Sequence, residues 1–193
     1  MPLANVLDFN YMPIEIEKKY RLTESQRELL PGRLQAIGAQ FEGEDFEENT
    51  LFKGATLEAG RAALRLRRVG GRAILTYKER LPSTSGTKHQ REEETVVSDP
   101  ERMHAILTSL GFSPAVVYEK RRQTWRLRDA EIVVDELPFG LFMEIEGSEE
   151  EISDIEGALN IEGLATEVAT YPQLALRFGT PRDTIVEARF ADS

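Results

Sequence analysis

The sequence predicts an α+β fold: antiparallel strands curled into a barrel with a charged lumen, and helices packed on its outside. Three observations carry this expectation. About six segments alternate with a period of two, apolar on one face and charged on the other. Their polar face is almost wholly carboxylate, guanidinium or ammonium, not the mixed Thr, Ser, Gln and Lys of a solvated sheet face. Helical segments between them need an apolar sheet face to pack on. If they cover that face from outside, the charged faces converge inside.

The elements follow in order. "IEIEKKYRL" sets Glu15, Glu17 and Lys19 against Ile14 and Ile16. "TESQRELLPGRLQAIG" reads as a helix with Thr23 and Gln26 as a capping box and Gly38 as its stop. Pro31 inside it is expected to kink or split it. In "GAQFEGEDFEENTLFKG", Phe41, Phe46 and Phe52 read either as core or as a stack for a nucleotide base, with core favoured. "ALRLRRV" puts Arg65 and Arg67 opposite Leu64 and Leu66, and "AILTYKE" puts Thr76 and Lys78 opposite Leu75 and Tyr77. "RLPSTSGTKHQ" reads as a hairpin loop, and "KHQREEETVV" as a polar strand with Arg91 and Glu93 on one face. "SDPERMHAILTSLGF" is a helix capped by Ser98 or Asp99, with Pro100 in its first turn and Gly111 at its end. "VYEKRRQTWRL" aligns Lys120, Arg122, Thr124 and Arg126 against Val117, Trp125 and Leu127. "AEIVVDEL" carries Asp135, and "LFMEIEG" sets Glu144 and Glu146 against Met143 and Ile145. "SEEEISDIEGALNIEG" is a helix with Ser148 and Glu151 as its capping box, "YPQLALRF" a short one, and "TPRDTIVEARFADS" a tail.

Composition narrows the function. The 193 residues make one domain, 40% hydrophobic and 30% charged. No run approaches a membrane span, and "MPLANVLDFNYMP" lacks the basic start and apolar stretch of a signal peptide. The lack of cysteine excludes disulfides, zinc thiolate sites and thiol catalysis, and fits a cytoplasmic location. Two histidines, His89 and His104, make a His-rich metal site or a serine–histidine triad hard to build. A net charge of −10 argues against a nucleic-acid surface, though a basic cavity can sit inside an acidic shell.

Such a lumen would hold Lys19, Arg65, Arg67, Lys78, Arg91, Lys120, Arg122 and Arg126, together with Glu15, Glu17, Glu93, Asp135, Glu144 and Glu146. Enclosed charges of both signs suit a ligand with both signs, a polyphosphate and its divalent metals. Arginine forks and lysine point charges grip phosphate oxygens, and carboxylates hold a hard cation.

The ordered set "EIEKK", "LRLR", "LTYK", "REEE", "EKRR", "VVDE" and "GLFMEIEG" resembles the CYTH superfamily, the triphosphate tunnel metalloenzymes, over about residues 13–178. Residues 1–12 are then an N-terminal extension and 179–193 a C-terminal tail. The resemblance implies an eight-stranded antiparallel tunnel that takes triphosphate or a nucleoside triphosphate with Mg²⁺ or Mn²⁺. Carried over, Lys19, Arg65, Arg67, Lys78, Arg91, Lys120 and Arg122 would grip phosphates. Asp135, Glu144 and Glu146, with Glu15 or Glu17, would hold metal, and Glu15, Glu17 and Lys19 would be catalytic. Many members carry a Lys shortly before a Ser-Tyr pair near the C-terminus. Here "EVATYPQL" has Thr170 for the Ser and no such Lys. Members include inorganic, thiamine and RNA triphosphatases and class IV adenylyl cyclases. The expected activity is metal-dependent hydrolysis of a small-molecule triphosphate. The alternatives are cyclic AMP formation from ATP and polyphosphate or nucleotide binding without turnover. No nucleic acid or membrane partner is expected, and a broad apolar exterior would also support a homodimer.

Overall fold

The computed structural model describes residues 14–57, 61–81, 88–161 and 163–191, with backbone alone for residues 14–15 and 88–90. The expected N-terminal extension, the side chains of Glu15 and His89, and the centre of the "RLPSTSGTKHQ" loop lie outside the described residues.

Strand β1 (Ile14–Leu22) leads into α1 (Glu24–Ala36), where Thr23 and Gln26 close a reciprocal capping box. Pro31 does not split the helix, which runs through it. Leu30 and Leu34, one turn apart on either side of Pro31, are both buried and hold the two halves on the sheet. The carbonyl that Pro31 leaves without a donor belongs to half-exposed Arg27, within reach of water.

The next segment corrects the sequence reading more strongly. "QFEGEDFEENTLFK" is a 14-residue strand, β2 (Gln40–Lys53). Then β3 (Ala62–Val69) and β4 (Arg72–Arg80) meet at Gly70 and Gly71, with φ of +53° and +76°. Two positive φ values in a two-residue hairpin turn are what glycine provides without strain. After β5 (Lys88–Val97), Asp99 caps α2 (Pro100–Ser109) by accepting the Arg102 amide. A meander follows of β6 (Ser113–Leu127), β7 (Ala130–Leu137) and β8 (Gly140–Glu146). Ser148 and Glu151 form the capping box of α3 (Glu149–Leu159), and Thr170 and Gln173 that of α4 (Tyr171–Phe178).

The segment expected as a tail adds two short strands, β9 (Thr180–Arg182) and β10 (Ile185–Ala188). β10 lies parallel to residues 116–118 of β6. Beyond it, Arg189 donates to Glu48 at 2.7 Å and to buried Glu119 at 2.8 Å, fastening the end of the chain to the outer wall.

The strands pair in the order β2-β3-β4-β5-β1-β8-β7-β6, and β6 pairs back onto β2 along residues 40–53. All eight junctions are antiparallel, so the expected eight-stranded barrel closes. Closure removes the exposed edges an open sheet would carry.

Helices cover the outside. Leu30 and Leu34 of α1 and Ile152, Ile155 and Leu159 of α3 pack on Tyr20, Trp125, Ile132, Val134, Met143 and Ile145. Leu107 of α2 packs on Leu64, Leu66 and Val97. These are the apolar faces of the alternating strands, so the charged faces turn inward. Leu34→Ala should cost about 2–5 kcal/mol, read from the urea midpoint, because Leu34 is wholly buried between helix and barrel. Among the described residues no helix is long and apolar enough to cross a membrane.

Candidate functional site

Inside the barrel, register brings together side chains far apart in sequence. Lys19 stands opposite Glu144, and Glu17 opposite Glu146. Arg122 stands opposite Asp135, and Lys120 opposite Glu47. Glu17, Lys19, Lys120, Arg122, Glu144 and Glu146, with Arg65, Arg67 and Lys78, surround a cavity of about 470 Å³, and Asp135 and Glu47 stand behind them. Among the described residues the wall includes eight cations, with Arg61 and Arg80 towards one end, and three carboxylates, Glu17, Glu144 and Glu146. Eight against three gives the cavity wall a cationic excess in a chain whose net charge is −10.

Buried ions persist only if paired. Asp135, fully buried, takes Arg122 through both oxygens, Nε at 2.7 Å and an NH₂ group at 2.6 Å. The same NH₂ group reaches Glu144 at 3.0 Å, and Lys19 meets the other oxygen of Glu144 at 3.1 Å. Burial works against the Arg122 charge, but Asp135, Glu47 and Glu144 outweigh it and hold its pKa well above the usual value. Lys120 is pulled down to about 8 by burial and by Arg122, against the opposing effect of Asp135, Glu47 and Glu144.

Helix α4 supplies part of the wall through Tyr171, Pro172, Gln173 and Leu176. The Tyr171 hydroxyl donates to Asp135 at 2.8 Å, and the Lys19 ammonium sits 3.9 Å from the ring centroid. Lys19 also donates to the Ala169 carbonyl at 3.2 Å, so the first turn of α4 is tied into the lumen.

Several expected positions are corrected. Arg91 and Glu93 point outward and pair with each other at 3.4 Å. Their neighbours Glu92 and Glu94 take the lumen face, where Lys78 and Arg65 meet Glu92, and Arg65 and Arg67 meet Glu94. The cause is phase: β5 is polar on both faces, and Val97, packed with the α2 cluster, fixes odd-numbered residues outside. Arg126 pairs with Glu131 at 2.8 Å and Glu42 at 3.4 Å, off the cavity wall. Phe41, Phe46 and Phe52 all lie on the outer face, against Trp125, Phe190 and His104 respectively.

Asp135, expected on a metal, is saturated by protein donors and does not line the cavity. Its place is behind Arg122, which it orients. The carboxylates that can serve a cation lie elsewhere. Glu17, Glu146 and Glu131 stand in register on three adjacent strands. Burial first, then Glu131, raise the Glu146 pKa to about 7, with Lys78 opposing and Glu17 and Glu92 adding. Among the described residues no three such groups already form a cage. The donor chemistry nonetheless fits a hard divalent cation: all-oxygen ligands crowded until one holds its proton near neutrality. Glu47 and Glu131 were absent from the sequence expectation. Glu131 shares the parity of Asp135 in "AEIVVDEL", which was signal enough; Glu47 lies on a strand the sequence did not announce.

Comparison with known proteins gives a consistent result. The CYTH domain model matches residues 13–170. A Methanocaldococcus jannaschii protein with a provisional adenylate cyclase name is 32% identical over 146 residues, 74% of this chain and 79% of that protein. Among solved structures, a Pyrococcus horikoshii protein superposes with a TM-score of 0.71 at 28% identity, covering 83% of this chain and 98% of that one. A Hippeastrum protein superposes with a TM-score of 0.62 at 22% identity, covering 84% of this chain and 94% of the other. That protein carries an adenylyl cyclase name and is described as having a dominant triphosphatase activity.

Proposed function

Because the chain belongs to the CYTH domain family, a family of metal-dependent enzymes, we propose that its tunnel hydrolyses the terminal phosphate of a small-molecule triphosphate with Mg²⁺ or Mn²⁺. The observation that carries this reading is the barrel cavity whose wall, among the described residues, sets eight cations against three carboxylates. A linear chain of phosphates is the small ligand that uses many convergent cations at once.

Lys19, Arg65, Arg67, Lys78, Lys120 and Arg122 bind phosphate oxygens and keep the chain extended along the lumen. Glu17 and Glu146 would hold the cation, with Glu131 in register beside them on β7 and Glu144 the third carboxylate of the cavity wall. A divalent cation bound there neutralises phosphate charge. Glu17 accepts a proton from the attacking water as its oxygen bonds to the terminal phosphorus. The bridging P–O bond breaks, and the leaving oxygen departs with charge stabilised by the arginines.

The cyclase reading places the ribose 3′-hydroxyl on the α-phosphorus and needs a platform for adenine. The three β2 phenylalanines are outside, and among the described residues the aromatic side chains on the cavity wall are Tyr118 and Tyr171, both buried. This favours hydrolysis. The test is turnover of tripolyphosphate, thiamine triphosphate and ATP with either metal, with products identified. Orthophosphate release is expected. Pyrophosphate with cyclic AMP would replace the proposal by a cyclase, and binding without turnover by a polyphosphate store.

A further inference from the structure

One lumen carboxylate takes no part in that reaction. Glu47 on β2 is 2% exposed. One oxygen lies 3.2 Å from Lys120 and accepts the Asn49 side-chain amide at 3.3 Å; the other lies 3.7 Å from Arg67 and 4.0 Å from Arg122. The three cations line the cavity and Glu47 does not, so it stands behind them. It also spans the seam that closes the barrel, touching β3 through Arg67 and β6 through Lys120 and Arg122. Burial disfavours its charge, but Lys120, Arg122, Arg67 and Arg65 overcome that and hold the carboxyl well below the usual range.

We infer that Glu47 is a positioning residue for the tunnel reaction, a fixed internal counter-anion that keeps Arg67 and Lys120 set in the phosphate-facing wall beside Arg122, which Asp135 orients. Each of these cations is held between a permanent negative charge behind and a transient one in front. Without the rear charge, three close cations repel one another and follow the substrate instead of fixing it. The consequence falls on the reacting geometry more than on ground-state attraction, since removing a carboxylate does not make the cavity less attractive to anions.

This inference rests on the triphosphatase reading for its kinetic arm only. For Glu47→Gln, kcat on tripolyphosphate per folded molecule should fall about 100-fold. KM should change less than about threefold, the pattern of an interaction that matters at the transition state. Glu47→Asp keeps the charge with shorter reach and should retain about a tenth of wild-type kcat. The second arm needs no turnover. In metal-free protein, the Arg67 side-chain NMR signals should show hindered guanidinium rotation in wild type and in Glu47→Asp, and freer rotation in Glu47→Gln, while Arg122, held by both oxygens of Asp135, stays hindered in all three. Should the glutamine variant not fold, Glu47→Asp decides, because a wild-type kcat there removes the positioning role. Unchanged kcat with only a lower Tm, a raised KM with intact kcat, or unaltered Arg67 signals would each overturn the inference. A wild-type protein inactive on every triphosphate would sink the proposed function while leaving the NMR arm to judge Glu47.

Discussion

Arg122→Ala should abolish measurable phosphate release and lower the stability of the fold by about 3–5 kcal/mol. Both losses come from one geometry. Arg122 faces the cavity, so its removal takes a fork of donors from the phosphate wall. It also leaves Asp135, 0% exposed, without its bidentate partner. The Tyr171 hydroxyl at 2.8 Å and Lys120 at 3.5 Å both address the same oxygen of Asp135, so neither replaces the Nε contact to the other. A second substitution separates the effects. Arg122→Ala with Asp135→Asn removes the stranded charge and should recover most of the lost stability, measured by urea unfolding of metal-free protein. It should recover no turnover. If Arg122→Ala alone is as stable as wild type, the pair is not the buried anchor it forms here; if it stays active, the phosphate wall is elsewhere.

Glu146→Gln should abolish metal-dependent turnover and, in chelator, flatten part of the pH profile of stability. The Glu146 pKa is raised to about 7 in the folded chain, above the ordinary carboxylate value of about 4.3. Between these two values the folded state holds a proton that the unfolded state has released. Stability from this group therefore falls as pH rises through that window, and levels off above about 7. Glutamine cannot titrate. The stability of Glu146→Gln relative to wild type should climb across the window and be greatest at pH 8, where wild type carries a poorly solvated charge beside Glu131 and Glu17. Adding Mg²⁺ or Mn²⁺ at pH 8 should raise wild-type Tm and raise that of the variant much less. Parallel stability curves for the two proteins in chelator would remove Glu146 from the carboxylate cluster. An equal metal-induced shift would remove it from the cation site.

The barrel and most of its lumen were legible because six strands are amphipathic in their own right. Leu64 and Leu66 against Arg65 and Arg67, or Met143 and Ile145 against Glu144 and Glu146, fix which face is buried under helices without further information. Where that contrast is lacking, the reading failed in two different ways. β5 is polar on both faces up to Thr95, and the neighbouring Val96 and Val97 give opposite phases; only packing beside Leu107 selects Val97. Arg91 and Glu93 were therefore exchanged for Glu92 and Glu94. β2 carries acids on both faces and a glycine near its start, a composition of loops. Its strand character comes from pairing with β3 and β6, a long-range cause that local alternation does not encode. Glu47 was hidden with it. The C-terminal strands were illegible for a related reason. β9 is three residues and β10 four, too short for a period, and β10 is set by the edge β6 offers at residues 116–118.

The matched region stops at residue 170, while the tyrosine that donates to Asp135 is residue 171 and the helix that walls the cavity ends at Phe178. A fragment trimmed to homology would keep every strand of the barrel yet open a side of the chamber to bulk water. It would also strip a hydroxyl from the oxygen that orients Arg122. Boundaries drawn from sequence likeness would thus yield a shell that folds around the right charges and fails to enclose them.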